Sequence, residues 1–229
     1  MPKHFLGKRI AVLTAHPDDE GLAAGTMYEN HKAGGETFLI CATYGEKGKS
    51  HLKKPVSDAR LKKIRKDELL KAARVLKIKK VLFLGFPDAG VRERKRELFE
   101  AMEKAVRTIA SDQILSFGPE GISAHWDHIT VGAAAARVAK KLKIPIATFT
   151  LSDAMIKERL KRSFVARRKF GKYAGIPQHR KANIRIKIDP MIKVKAMRNH
   201  RSQFGNAGPF PQLPERVRRT MFQYEYFVE

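Results

Sequence analysis

The sequence predicts an α/β fold, a largely parallel sheet flanked by helices. Three observations carry this. Short apolar runs of strand length alternate with amphipathic segments of helical period. Most of these runs end abruptly in a polar or glycine-rich turn, as open α/β sheets require. The 229 residues are 43% hydrophobic, enough for a substantial core.

Taken in order, Arg9 to Ala15 is an apolar run that stops at His16-Pro17-Asp18-Asp19-Glu20, so it reads as a buried strand and a polar turn. Gly21 to Lys32 reads as a helix closed by Gly34-Gly35. Glu36 to Tyr44 is a second strand, with Cys41 as a small core residue. Ser57 to Leu76 carries a stripe of Leu61, Ile64, Leu69, Ala72 and Leu76, with Ser57 or Asp58 as cap. Val81 to Phe86 is a strand stopped by Pro87, and Glu93 to Ala110 is amphipathic. Gln113 to Phe117 is a strand, Asp127 to Leu142 an alanine-rich helix, and Ile146 to Leu151 a fifth strand. Beyond residue 152 the alternation weakens. Residues 155–172 read as a basic helix or loop, 183–188 as a strand, 190–203 as a helix, 205–214 as a loop and 224–228 as a last strand. Residues 1–229 are expected to form one domain, with 1–152 as its α/β core and 153–229 as an irregular extension completing the site.

The charge is the unusual feature. Lys and Arg number 47 against 23 Asp and Glu, a net +24. Residues 47–80 hold 14 basic and 3 acidic side chains, and residues 155–187 hold 12 and 1. The rest is nearly balanced. The excess therefore flanks the strand-end turns, where it bears on the approach of an anionic substrate more than on chemistry. Nucleic-acid binding is the competing reading, but aromatic residues are few in these windows and no nucleic-acid motif is present. The single cysteine excludes an intrachain disulfide and multi-cysteine zinc motifs. No apolar run approaches the length of a membrane span, and the N-terminal run is too short for a signal peptide, so a cytoplasmic location is expected.

Ligands of open α/β sheets bind beyond the carboxyl ends of the strands. Residues 16–20, 44–48, 87–90 and 118–128 all follow predicted strands and should meet at one edge. Two of them are rich in imidazole and carboxylate: His16-Pro17-Asp18-Asp19-Glu20 and His125-Trp126-Asp127-His128. Two histidines and an aspartate can bind zinc and leave a position open for water, and a further carboxylate can take a proton from it. Each cluster alone also reads as ordinary structure, with Asp18, Asp19 or Asp127 capping the helix that follows. Their convergence at strand ends favours a metal site. Glu20 reads as a carboxylate favoured near a helix N-terminus.

These residues resemble the LmbE/PIG-L family of zinc-dependent deacetylases acting on N-acetylglucosaminyl compounds. Ala15 to Glu20 matches its first motif and His125 to His128 its second; Trp126 stands where many relatives have proline. Thr43 to Glu46, Arg65 to Leu69, Leu84 to Asp88 and Lys193 to Gln203 extend the resemblance along nearly the whole chain. It implies a Rossmann-like, LmbE-like fold. It further implies a Zn2+ ion (or another divalent metal) on His16, Asp19 and His128, with Asp18 as general base. His125, as imidazolium, would stabilise the oxyanion, and Asp127 would orient His125. Arg65 and Asp88 would bind the sugar. The implied reaction is removal of an N-acetyl group to release acetate and a free amine, the substrate a small N-acetylated sugar or conjugate. A variant of this reading takes an anionic or lipid-linked sugar as substrate. The resemblance also implies a homo-oligomer, trimer or hexamer. From the C-terminal element, His200 and Ser202-Gln203 serve equally well as site supports or as helix-end hydrogen bonds.

Overall fold

The computed structural model describes residues 5–152, 180–206 and 222–229. Seven strands form one sheet: β1 (Arg9–Thr14), β2 (Glu36–Cys41), β3 (Lys80–Phe83), β4 (Gln113–Phe117), β5 (Ile146–Thr150), β6 (Ile184–Lys187) and β7 (Tyr224–Val228). Their order is β3-β2-β1-β4-β5-β7-β6. The first five are parallel; β7 is antiparallel to both β5 and β6. Strands β1, β2 and β4 are buried almost throughout, which is why they read as continuous apolar runs rather than alternating ones. At the antiparallel edge, β6 alternates buried and exposed residues.

The helices are α1 (Ala24–Lys32), α2 (Asp58–Val75), α3 (Lys95–Ile109), α4 (Gly121–Ala124), α5 (Trp126–Leu142), α6 (Pro190–Met197) and α7 (Arg201–Phe204). Helices α3 and α5 pack on each other and on β1, whereas α6 packs against both α1 and α2. From β1 the chain adds strands first on one side, β2 and β3, and then on the other, β4 and β5, so the strand order turns between β1 and β4. Ligands bind at such a switch point. Both histidine-bearing segments follow the two strands that flank it.

Several elements differ in detail from expectation. A 3₁₀ turn, Asp19–Leu22, precedes α1, and the chain breaks at Ala23 before the helix starts. Strand β3 ends at Phe83, where Gly85 at φ +78 bends the chain before Pro87. The single helix expected over 190–203 is two, α6 and α7. Residues 155–172 and most of 205–214 lie outside the described residues.

The C-terminal strand is fixed to the core by a buried charge. Glu225 on β7 accepts hydrogen bonds from the N–H groups of Gly25 (3.0 Å) and Thr26 (2.7 Å), in the first turn of α1. It also pairs with Lys193 of α6 at 2.9 Å. Gly25 is required for this approach: a Cβ there would lie 2.3 Å from the Ile188 side chain. Glu225→Ala strands two N–H donors and a half-buried lysine, and is expected to cost about 3–5 kcal/mol, read as a lower denaturation midpoint in urea. A loss below 1 kcal/mol would show that the carboxylate does not hold the strand to the helix.

Candidate metal centre

All four strand-end segments meet. The Lys47 N–H donates to Asp88 (2.7 Å), Asp88 lies 3.0 Å from His16 Nε2, and the Ala89 N–H donates to Asp127 (2.9 Å). Among the described residues, seven non-glycine residues have positive φ. Four of them, Asp18, Ala89, Ile122 and Ala124, belong to these loops. Such conformations cost about 1–3 kcal/mol each and persist where surrounding contacts over-determine them.

The centre is built around His16. Its Nε2 faces two carboxylates, Asp88 at 3.0 Å and Asp127 at 3.2 Å, so the Nε2 proton is committed there. Its Nδ1 points the other way, 3.1 Å from His128 Nε2. His128 is oriented by the same logic. Its Nδ1 lies 3.0 Å from the Gly121 carbonyl, which fixes the proton on that side and leaves Nε2 bare. The ring is held flat against Phe117, centroids 4.2 Å apart. Asp19 completes the triangle. One carboxylate oxygen accepts from the N–H groups of Ala15 (3.1 Å) and His16 (2.7 Å) and lies 3.6 Å from His16 Nδ1. The other is 3.2 Å from His128 Nε2.

Two imidazole nitrogens thus lie 3.1 Å apart, with one oxygen of Asp19 at 3.2 Å from His128 and the other at 3.6 Å from His16. Tetrahedral zinc ligands at about 2.0–2.1 Å from the ion are separated by roughly 3.3 Å. The donor set fits a divalent cation: two imidazole lone pairs and a carboxylate oxygen repel at this range unless positive charge lies among them. The electrostatics agree. Burial opposes a charged His16, but hydrogen bonds to Asp127, Asp19 and Asp88 outweigh it and raise its pKa well above the ordinary value. Burial likewise opposes charge on His128, and Asp19 raises it. Burial would raise Asp19, yet His128 and His16 hold it well below the usual carboxylate range. Among the described residues, two groups have ligand-like spacing: His16 with His125 and His128, and His16 with Asp88 and Asp127, the carboxylates that meet its other nitrogen.

Asp18 sits beside the triangle rather than in it. Its backbone is left-handed, φ 102, and its side chain caps nothing. Its N–H donates to Glu20 (2.9 Å), and its carboxylate lies 3.3 Å from the Arg65 guanidinium. Burial first, and then the neighbouring Asp19 charge, push its pKa up to about 7, with Arg65 acting in the opposite sense. A carboxyl poised there can both take and return a proton near neutral pH.

The Asp127 side chain bonds to His16 and to the Ala89 N–H. His125 is the N-cap of α5, with Nδ1 accepting from the Asp127 N–H at 3.2 Å. It therefore carries its proton on Nε2. Burial, and then the charges of His16 and His128, lower its pKa. His125 has extended backbone, and its ring lies 5.2 Å from that of His128.

Arg65 and Asp88 are almost wholly buried, 3% and 9% exposed. Arg65 donates to the carbonyls of Gly45 (2.6 Å) and Pro17 (2.7 Å), gripping the base loop from behind. Gly45 makes room for it: a Cβ there would lie 2.2 Å from the guanidinium. Asp88 is spent on His16 and the Lys47 N–H.

Sequence reasoning underrated Glu20. It is fully buried and bonds His200, also fully buried, while its other oxygen takes the Asp18 N–H. Glu68 of α2 similarly takes the N–H and hydroxyl of Ser202, at 2.8 and 2.6 Å. The only sequence signal was the matching of two distant motifs, since a 180-residue separation leaves no local pattern. Breaking this pair leaves an uncompensated buried charge. His200→Leu is expected to lose about 3–5 kcal/mol in urea denaturation, whereas Glu20→Met with His200→Leu together recovers most of it. Strictly additive losses would show the two side chains to be uncoupled.

Comparison with known proteins gives a consistent picture. The family model described as "PIG-L: GlcNAc-PI de-N-acetylase" matches residues 11–139, more than half of the chain. A "probable N-acetyl-alpha-D-glucosaminyl L-malate deacetylase 2" of Bacillus anthracis is 30% identical over 132 residues. That match covers 56% of this chain and 58% of the relative, less than two thirds of the relative's length. Among solved structures, an N,N'-diacetylchitobiose deacetylase from Pyrococcus horikoshii superposes with a TM-score of 0.65 at 22% identity, covering 96% of this chain and 83% of that one. The 4-carboxy-2-hydroxymuconate hydratase GalB of Pseudomonas putida superposes nearly as well, TM-score 0.64 at 20% identity over 85% and 80% of the two chains. Likeness at this level establishes the fold and leaves the chemistry to the site.

Proposed function

The chain belongs to the PIG-L family, and on that premise we propose that it is a metal-dependent hydrolase that removes the N-acetyl group from an N-acetylglucosamine-type sugar or conjugate. The observation that carries the reading is the donor triangle of His16, Asp19 and His128, with the carboxyl of Asp18 held beside it.

His16, Asp19 and His128 would hold the ion, zinc by preference given two imidazoles and one carboxylate. When bound, it supplies a Lewis acid for the amide carbonyl and for water. The chain's own groups do the remaining work. Asp18 removes a proton from the attacking water and returns it to the departing amine nitrogen, a task suited to a pKa near 7. Glu20 and Arg65 keep Asp18 in place, one through its backbone and one through its carboxylate. His125 donates its Nε2 proton in a hydrogen bond to the oxygen of the tetrahedral intermediate. Asp127 and Asp88 keep the His16 proton on Nε2 and so present Nδ1 to the ion. The products are acetate and the free amino sugar. Direct contact of Arg65 or Asp88 with the sugar would require one of them to leave its internal partners.

Among the described residues no helix is long and apolar enough to cross a membrane. A homo-oligomer, trimer or hexamer, is proposed from the family resemblance alone.

Acetate release from N-acetylglucosamine and its glycosides, with zinc added back after chelation, tests the reading. Asp18→Asn is expected to keep stoichiometric metal and lose about 10²–10⁴-fold in kcat. His128→Ala is expected to lose the metal itself, seen in elemental analysis. Wild-type rates in Asp18→Asn, or hydrolysis indifferent to chelation, would sink the proposal.

A further inference from the structure

Helix α2 and the α6–α7 segment bound a cleft of about 500 Å³. Pockets that hold small molecules run roughly 300–1,000 Å³. Four cationic side chains line this one: Lys71 on α2, Lys195 on α6, Arg198 just after it and Arg201 on α7. All four are exposed, and none makes an ion pair or side-chain hydrogen bond among the described residues. Exposed cations elsewhere do find partners: Lys47 pairs with Asp58, Lys79 with Glu36, Arg96 with Glu100 and Lys141 with Glu103. The cleft also has two carboxylates, and they leave it with an excess of two positive charges. Glu68 is buried and spent on the N–H and hydroxyl of Ser202. Asp67 is exposed and forms no ion pair among the described residues. A concave surface dominated by one sign of charge focuses the field and concentrates counter-ions.

We propose that this cleft is a second binding site, for a small anion carrying at least two linked phosphate groups. The inference goes beyond the deacetylase reading and does not depend on it. Two guanidinium groups offer forked donors that match phosphate oxygens in pairs, and two ammonium groups add point charge. A single phosphate is small against the volume of the cleft. A diphosphate reaches Lys71 on one wall and Arg198 or Arg201 on the other. No lining residue belongs to the donor triangle or pairs with the Asp18 carboxylate, so the site is separate from the reacting atoms. Two lining residues, Asn199 and Arg201, nevertheless flank His200, the anchor of Glu20. An anion tying α2 to that turn braces the support of the base from outside.

Calorimetry of the metal-loaded protein with inorganic pyrophosphate, at an ionic strength of about 0.15 M, tests the site. Inorganic phosphate serves as the single-phosphate probe. One saturable site is expected, about tenfold tighter for pyrophosphate than for phosphate. Losing one charge-assisted contact costs about tenfold in affinity. Arg198→Gln, Arg201→Gln and, from the opposite wall, Lys71→Gln are therefore each expected to raise the pyrophosphate Kd by that factor. Saturating pyrophosphate should raise the urea denaturation midpoint of the unmodified chain, and raise that of Arg198→Gln less. Arg94→Gln with Lys140→Gln neutralises two exposed cations outside the cleft and should leave the Kd unchanged. An equal loss of affinity in that control pair overturns the site, by making the binding bulk electrostatics. Affinity untouched by all three cleft variants, or lost only when the metal is removed, overturns it by placing the anion at the metal centre. Binding of an oligonucleotide that the cleft variants weaken, without pyrophosphate binding, overturns it in favour of a nucleic-acid backbone. No saturable binding overturns it outright. Each of these outcomes leaves the deacetylase to its own test, acetate release.

Discussion

The site depends on two imidazole nitrogens held face to face without a proton of their own to share. His16 spends its Nε2 proton on Asp88 and Asp127, and His128 spends its Nδ1 proton on the Gly121 carbonyl. The remaining nitrogens sit 3.1 Å apart with a carboxylate oxygen of Asp19 at 3.2 Å. Among the described residues no cationic side chain stands between these atoms, and their donor set fits a cation. Neighbouring carboxylates, Asp127, Asp19 and Asp88 at His16 and Asp19 at His128, raise the pKa of both histidines.

The strain around the centre follows from it. Aiming Asp18 and Asp19, adjacent in sequence, at different tasks requires a backbone that no regular helix offers, and Asp18 adopts φ 102. The chain fixes that conformation from two sides. Arg65 reaches from α2 under Gly45 to the Pro17 carbonyl and the Asp18 carboxylate. Glu20, anchored on His200, takes the Asp18 N–H. The C-terminal elements are therefore part of the base loop's support, through His200 on Glu20, Ser202 on Glu68 and Glu225 on the start of α1. Each contact is a buried charge with its partner supplied by a distant segment, an arrangement that contributes little when complete and costs heavily when broken.

The excess charge plays no part in this network. None of the side chains that form the donor triangle or support the base belongs to the basic excess except Arg65, which is buried and paired. Exposed cations on α2 and α6 are available to influence what approaches, in keeping with a catalytic apparatus that is close to neutral by itself.

Local chemistry made much of this readable in the sequence. Apolar runs of strand length gave the parallel core, because strands buried on both faces leave no alternation to misread. The sheet rule placed the polar turns at one edge, and the family resemblance is what singled out His16, Asp19 and His128 as ligands and Asp18 as base. Glycines and prolines marked most boundaries, though not the 3₁₀ turn before α1 or the break between α6 and α7, which tertiary packing sets. The sequence could not assign partners across long separations. That Asp127 bonds His16, that Arg65 faces inward and that Glu20 belongs to His200 all depend on distances between segments tens to hundreds of residues apart. Residue type determines which proton or lone pair is on offer; only the folded chain decides which group stands within 3 Å to accept it.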